Sequence, residues 1–187
     1  MLEIHGKKEC PFAWRVRLVA REKGIPFSWI AFDARPSSSR SEEHNPERRS
    51  PLLWDDGFSL SESVVIAQYL DESREGRPLM PGTPKQRAQM RLLLSSVAAR
   101  LEVSPSHAED KDAAVRKTRQ GHKVLDEALA DGRRFLAGDA PLLPDLMVWP
   151  FLALQAQDGF PVPPDLPRAH AYWSRAKERD SLHGTRP

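Results

Sequence analysis

The sequence predicts an α/β first domain followed by an all-helical second domain, and three observations carry that reading. Between residues 2 and 32, a β-compatible run, a helical run and a second β-compatible run follow one another. Residues 52 to 60 hold two short apolar runs joined by Asp55-Asp56-Gly57, a hairpin signal. After the glycine- and proline-rich stretch Glu75 to Pro84, only helical periodicities remain. The 187 residues suit one large domain or two small ones and suffice for a core without cross-links. The expected division is residues 1–75, a linker 76–84 and a helical domain 85–187.

The elements follow in order. Leu2 to His5 fits a strand, and Ala13, Val16, Val19 and Ala20 recur at helical spacing until Gly24, a natural helix stop. Phe27 to Phe32 is rich in aromatic and β-branched residues and fits a second strand, so a parallel, right-handed βαβ unit is expected. Pro36 to Ser50 is polar, with room for a short helix around Glu42. Leu52 to Trp54 and Phe58 to Leu60 are the hairpin strands, and a helix opens at Ser61 or Glu62 and runs through Val64, Val65, Ile66, Tyr69 and Leu70. In the second domain, Met90, Leu93, Leu94, Val97, Ala98 and Leu101 hold one helical face, and Val115, Thr118, His122, Leu125 and Leu129 hold another, both core-facing stripes. Leu146 to Leu154 is apolar on all sides, which predicts a central buried helix in spite of Pro150. Ala169, Tyr172, Trp173 and Ala176 mark a last amphipathic helix.

Composition narrows the function classes. Lys and Arg number 28 against 26 Asp and Glu, a formal charge of +2, and the basic residues are dispersed apart from the neighbours Arg15, Arg17 and Arg21. Nucleic-acid binding therefore has little support. The start, Met1 to Phe12, has no apolar run long enough for a signal peptide, and no later segment reaches the length of a membrane span, so a soluble, cytoplasmic protein is expected. A single cysteine excludes an internal disulfide and fits a reducing compartment. The histidines at 5, 44, 107, 122, 170 and 183 show no zinc-ligand spacing, and no metal is expected.

The lone cysteine, Cys10, precedes Pro11 at the head of the first helix. A thiolate there faces the N–H groups of Phe12 and Ala13 and the positive end of the helix dipole, a setting that favours ionised sulfur. A buried small hydrophobe is the competing reading of a lone cysteine. The following proline and the helix start favour thiol chemistry. Ala13 occupies the place of the second sulfur in a Cys-x-x-Cys motif, so a redox cycle here must borrow an external thiol.

The run CPFAWRVRLVAREKGIPF resembles the active-site segment of the omega class of glutathione transferases, whose members use a cysteine in this context. Asn45-Pro46, Ser50-Pro51-Leu52-Leu53 and Leu60-Ser61-Glu62-Ser63 resemble the family's glutathione-binding segments. Tyr69-Leu70-Asp71-Glu72 and Asp145 through Phe151 are similar to omega sequences as well. The resemblance implies a thioredoxin-like first domain and an all-α second domain, the cytosolic glutathione transferase architecture. It also implies roles. Cys10 forms a mixed disulfide with glutathione, and Phe12 lines the glutathione site. Ser50 meets the cysteinyl part through its backbone, held by a cis bond to Pro51. Glu62 and Ser63 hold the γ-glutamyl amino and carboxylate groups at a helix N-terminus, with plain helix capping by Ser61 or Ser63 as the competing reading. Trp14 and Trp173 wall an acceptor pocket, and a core position is the competing reading of Trp173.

Two departures from the family pattern stand out. Ser37 replaces a lysine that the family directs at the glycyl carboxylate, which leaves Arg35 or Arg40 for that task. Leu142 stands where a capping serine or threonine is usual, three residues before Asp145. The implied function is a glutathione-dependent thiol transferase or reductase of the omega-like, dehydroascorbate-reductase type. Glutathione is its co-substrate and a small electrophilic or disulfide compound the second substrate. Neither nucleic acid nor membrane is an expected partner. A pathway-specific glutathione transferase that makes or cleaves C–S bonds and a non-catalytic adaptor on the same fold are the alternatives. The resemblance further implies a two-fold homodimer, for which the stripe Met90 to Leu101 and the hairpin at Phe58 offer surface.

Overall fold

All five residues of the first strand, β1 (Leu2–Gly6), are buried, the pattern of a strand covered on both faces. In the computed structural model, which describes residues 1–31, 43–103, 105 and 108–186, β1 pairs in parallel with β2 (Ser28–Ala31) and antiparallel with β3 (Leu52–Asp55). β3 turns back on β4 (Phe58–Ser61), giving the order β2-β1-β3-β4. The turn takes Asp56 to φ 46° and Gly57 to φ 96°, the left-handed pair that matches the strand twist of a two-residue hairpin. Helix α1 (Pro11–Lys23) connects β1 to β2 and ends as the sequence predicts. Gly24 adopts φ 69°, its N–H donates to Arg21 O, and the Ile25 N–H donates to Ala20 O. Helix α2 (Ser63–Ser73) follows β4 and packs on α1, with Ile66, Ala67 and Leu70 of α2 and Ala13, Val16 and Ala20 of α1 all buried. The buried Lys23 ammonium fastens the two helices, donating to Asp71 Oδ1 at 3.0 Å and to the Asp71 carbonyl at 3.2 Å. This is a thioredoxin-like domain. The short helix expected around Glu42 falls partly outside the described residues, which include only a helical turn at 43–44.

The chain divides into two compact units, Met1–Pro78 with Gly184–Pro187, and Leu79–His183. The residues from Gly184 onward thus belong with the first unit, where Thr185 Oγ1 accepts the Trp14 indole N–H at 3.0 Å. The second unit is all helical: α3 (Pro84–Leu93), α4 (Lys111–Ala128), α5 (Leu143–Gln157), α6 (Pro167–Ala176) and the short α7 (Asp180–His183). A wide turn over Leu94–Ala98 carries α3 on into the single turn Ala99–Leu101. The even helical periodicity of that run does not reveal the wide turn. Ser95 and Ser96 both donate their hydroxyls to the Leu92 carbonyl, and such back-bonding loosens the regular ladder. Gly121 lets α4 approach this segment, since a Cβ there would stand 2.6 Å from the Arg100 carbonyl oxygen. Buried Gln155 joins α5 to the same segment, donating to the Leu101 and Val103 carbonyls at 2.9 Å and facing His122 Nε2 at 3.0 Å.

Met90, Leu94, Val97, Ala98 and Leu101 are buried, so this stripe is core and not the free surface expected of it for a dimer. The exposed large apolar side chains are Met1, Phe58, Val65 and Leu92 among the described residues. At the head of α5, Asp145 compensates for Leu142. Its carboxylate accepts the Leu142 N–H at 2.9 Å and the Leu136 N–H at 2.8 Å, and the Asp145 N–H returns to the Leu142 carbonyl. Among the described residues, no helix is long and apolar enough to cross a membrane.

Candidate active site

Cys10 is held at the head of α1 by backbone geometry. Its extended conformation (φ −71°, ψ 117°) makes it the N-cap residue, Pro11 takes the first helical position, and the Cys10 carbonyl accepts the Trp14 N–H at 2.9 Å. The sulfur itself does not cap the helix, contrary to the expectation from sequence. Its thiol points instead to the Ser50 carbonyl, Sγ···O 3.5 Å. Ser50 is fixed in turn, because its hydroxyl accepts the Lys7 N–H at 2.9 Å and its peptide bond to Pro51 is cis, as the resemblance implied. Gly6 makes this convergence possible, since a Cβ at that position would stand 2.9 Å from both Ala13 Cβ and Ser50 Oγ.

Beside the cysteine lies a cleft of about 330 Å³ lined by Phe12, Arg49, Ser50, Pro51, Ser61, Glu62 and Ser63. That is the size of a small-molecule site, for which roughly 300–1,000 Å³ is usual. Glu62 sits at the head of α2 with φ 71° and ψ 105°, an unusual conformation for a residue with a Cβ, and one that functional sites retain. No side chain caps α2, so neither Ser61 nor Ser63 takes the capping role that was the competing reading. The cleft therefore combines a carboxylate for an ammonium group, an uncapped helix N-terminus for a carboxylate, and hydroxyls for orientation. Such a set can receive one ammonium and one carboxylate of a small polar molecule.

Five of the expected glutathione-site residues, Phe12, Ser50, Pro51, Glu62 and Ser63, thus meet around one cleft next to Cys10. Two cations near the cysteine and the cleft have no role in the sequence reading. Arg49 lines the cleft, half-exposed, with Nη1 on Ser61 Oγ at 3.2 Å and Nε on Glu47 at 2.6 Å. Arg17 stacks on Trp29 at 4.5 Å and donates to the Lys8 carbonyl. Burial lowers the Arg17 guanidinium from its ordinary range, and the charge of nearby Cys10 works against that. The signal for Arg17 was present as its spacing seven residues after Cys10, two helical turns away, since a long side chain on a helix reaches back toward the N-terminus. Nothing in the sequence marks Arg49 over its neighbours. Arg35, Ser37 and Arg40 lie outside the described residues. Trp14 is 1% exposed and tied to Thr185, and Trp173 is 9% exposed.

Comparison with known proteins fits this geometry. Residues 9–73 match the glutathione S-transferase N-terminal domain, and residues 84–180 match the glutathione S-transferase C-terminal domain. Glutathione transferase GST 23 of Zea mays is 32% identical over 154 residues, 79% of this chain and 69% of the maize protein. Glutathione S-transferase omega-1 of Mus musculus is 27% identical over 194 residues, 97% of this chain and 78% of the mouse protein. The crystal structure of a diazinon-metabolizing glutathione S-transferase of the silkworm Bombyx mori superposes with a TM-score of 0.83 at 25% identity, covering 99% of this chain and 95% of that one. The chain belongs to the glutathione S-transferase family, whose members use glutathione as co-substrate. Its omega and plant relatives stand at similar identity, so the class within the family rests on the site.

Proposed function

We propose that this protein is an omega-like glutathione-dependent thiol transferase that works through a mixed disulfide at Cys10. The observation that carries the reading is the placement of the chain's one cysteine at the head of α1, its sulfur 3.5 Å from the carbonyl of a residue that lines the cleft. The Cys10 thiolate attacks the glutathionyl sulfur of a mixed disulfide RS–SG. A Cys10–S–SG bond forms, and RS⁻ leaves and takes up a proton. The chain holds no second thiol, so the thiolate of a second glutathione attacks the glutathionyl sulfur, releasing Cys10 as thiolate and oxidised glutathione as product.

Glutathione binds in the cleft with its γ-glutamyl ammonium on Glu62 and its γ-glutamyl carboxylate at Ser63 and the α2 N-terminus, while Arg49 offers a guanidinium to the glycyl carboxylate in place of the missing lysine. The protein works as a homodimer, and Phe58, Val65 and Leu92 are exposed apolar residues available to an interface. Mass spectrometry after exposure to oxidised glutathione tests the mechanism. One added glutathionyl group, absent in Cys10→Ser, supports it, whereas an unmodified native chain returns the protein to the adaptor reading.

A further inference from the structure

Away from the cleft, Glu3 and His5 project from the same face of β1, and the fold brings His44 to them from a distant part of the sequence. Glu3 Oε2 lies 3.0 Å from His5 Nε2 and 3.5 Å from His44 Nδ1. One donor atom from each residue falls within 4.8 Å of the other two. The cluster is sheltered, with Glu3 3% and His5 0% exposed. The His44 ring is held in place by stacking on Trp54, with the planes 9° from parallel and the centroids 3.7 Å apart. His44 Nδ1 is buried and makes no hydrogen bond among the described residues, although a carboxylate oxygen is its neighbour.

We propose that Glu3, His5 and His44 form a zinc-binding site. Donor atoms bound to one zinc at about 2.0–2.2 Å in a tetrahedral arrangement stand roughly 3.3–3.5 Å apart, close to the 3.0 and 3.5 Å that separate Glu3 Oε2 from the two imidazoles, while the two imidazole donors lie within 4.8 Å of each other. Two imidazoles with one carboxylate suit zinc and exclude a preference for magnesium or calcium, which take oxygen donors. Three protein donors leave the fourth position open to a further ligand. The site acts on the cleft through the backbone. His44 precedes Asn45, whose side chain accepts the Arg49 N–H and donates to the Arg49 carbonyl, both at 2.8 Å. Zinc at this position fastens to β1 the segment that carries Arg49 and Ser50.

Calorimetric titration of the untagged, chelator-stripped chain with Zn²⁺, paired with visible absorption on adding Co²⁺, tests the site. One metal per chain is expected, with cobalt bands of a tetrahedral nitrogen and oxygen site and no sulfur-to-cobalt band. Cys10→Ser should give the same result. His44→Phe keeps the stack on Trp54 and removes one donor, while Glu3→Gln keeps the shape of the carboxyl group. In each variant that circular dichroism shows to be folded, zinc affinity should fall by more than the roughly 10- to 100-fold that losing an outer partner of a ligand costs. The absence of stoichiometric binding, a cobalt signal lost with Cys10→Ser, or an unchanged affinity in a folded ligand variant overturns the proposal.

Discussion

The helix N-termini of the two units are built differently. In the second unit, a side chain accepts a backbone N–H at the head of each long helix, from the N-cap residue itself on α5. Thr83 and Gln86 form a reciprocal box on α3, Asp110 accepts the Ala113 N–H on α4, and Asp145 accepts the Leu142 N–H on α5. Helix α6 borrows its cap, since Asp126 of α4 accepts the N–H groups of Arg168 and Ala169 at 2.8 and 2.9 Å. The first unit has two long helices among the described residues, and neither is capped by a side chain: α1 begins at Cys10 and α2 at Glu62. An uncapped end forgoes about 1 kcal/mol of stability and keeps donors for something else. The heads of α1 and α2, where no cap side chain takes an N–H, adjoin the cleft.

Mutation at the two kinds of helix end should separate activity from stability. The largest effect is expected at the head of α1. Cys10→Ser should abolish disulfide exchange in an assay with a glutathionylated thiol while glutathione binding, measured by calorimetry, stays near the native value. Residual exchange at the native rate would show that the sulfur at this end is not the nucleophile. At a capped end, Asp145→Ala leaves the Leu136 and Leu142 N–H groups without an acceptor and should lower stability by about 2–5 kcal/mol in denaturant melts. A loss below about 1 kcal/mol would erase the contrast between the units.

At the other open end, Glu62→Ala and Ser63→Ala should weaken glutathione binding about ten- to a hundredfold, since hydrogen bonds to charged groups are worth roughly 1.5–3 kcal/mol. Their melting temperatures should stay put, and a drop like that of Asp145→Ala would make the α2 end a structural cap. A pH series sharpens the same comparison. Burial pushes the Asp145 carboxyl up to about 6, against the hydrogen bonds from Leu142, Leu136 and Tyr172 that favour its ionised form. An acid raised in the folded state binds more protons there than in the unfolded chain between about pH 4 and 6, so its contribution to stability is present below that window and lost as pH rises through it. Relative to Asp145→Asn, the native chain should lose up to about 3 kcal/mol across that interval. A flat difference would mean that Asp145 titrates as an ordinary surface carboxylate. The smallest effect is expected from Trp173→Ala, which should slow bulky aromatic acceptors more than small disulfides. Equal losses would confine Trp173 to the core.

Much of the fold was legible because it depends on local spacing. Gly24, the Asp56-Gly57 turn, the buried run from Leu146 and the stripe on α4 each announce themselves within a few residues. The surroundings of the cleft were legible where a short motif placed them, as with Cys10 at the head of α1 and Glu62-Ser63 at the head of α2. What escaped depends on residues distant in sequence. Asp126 reads as one more polar residue of α4 until α6 arrives above it, and His44 reads as isolated until it meets Glu3. The turn of the Cys10 sulfur toward Ser50 depends on a carbonyl forty positions away. The stripe Met90 to Leu101 faces the core as its spacing predicts, and only its second use as dimer surface fails, because periodicity shows that a face is buried, not what buries it.

The bond between Trp14 and Thr185 governs how this chain can be dissected. The first unit is not a contiguous stretch of sequence, since it takes its last residues from beyond the helical unit. A fragment ended at Pro78 keeps the sheet, the cysteine and the cleft, yet leaves a buried indole N–H without its acceptor, a defect of about 1–3 kcal/mol. Supplying residues 184–186 as an appended peptide, or grafting an acceptor beside Trp14, is therefore part of any attempt to produce the glutathione-binding unit by itself.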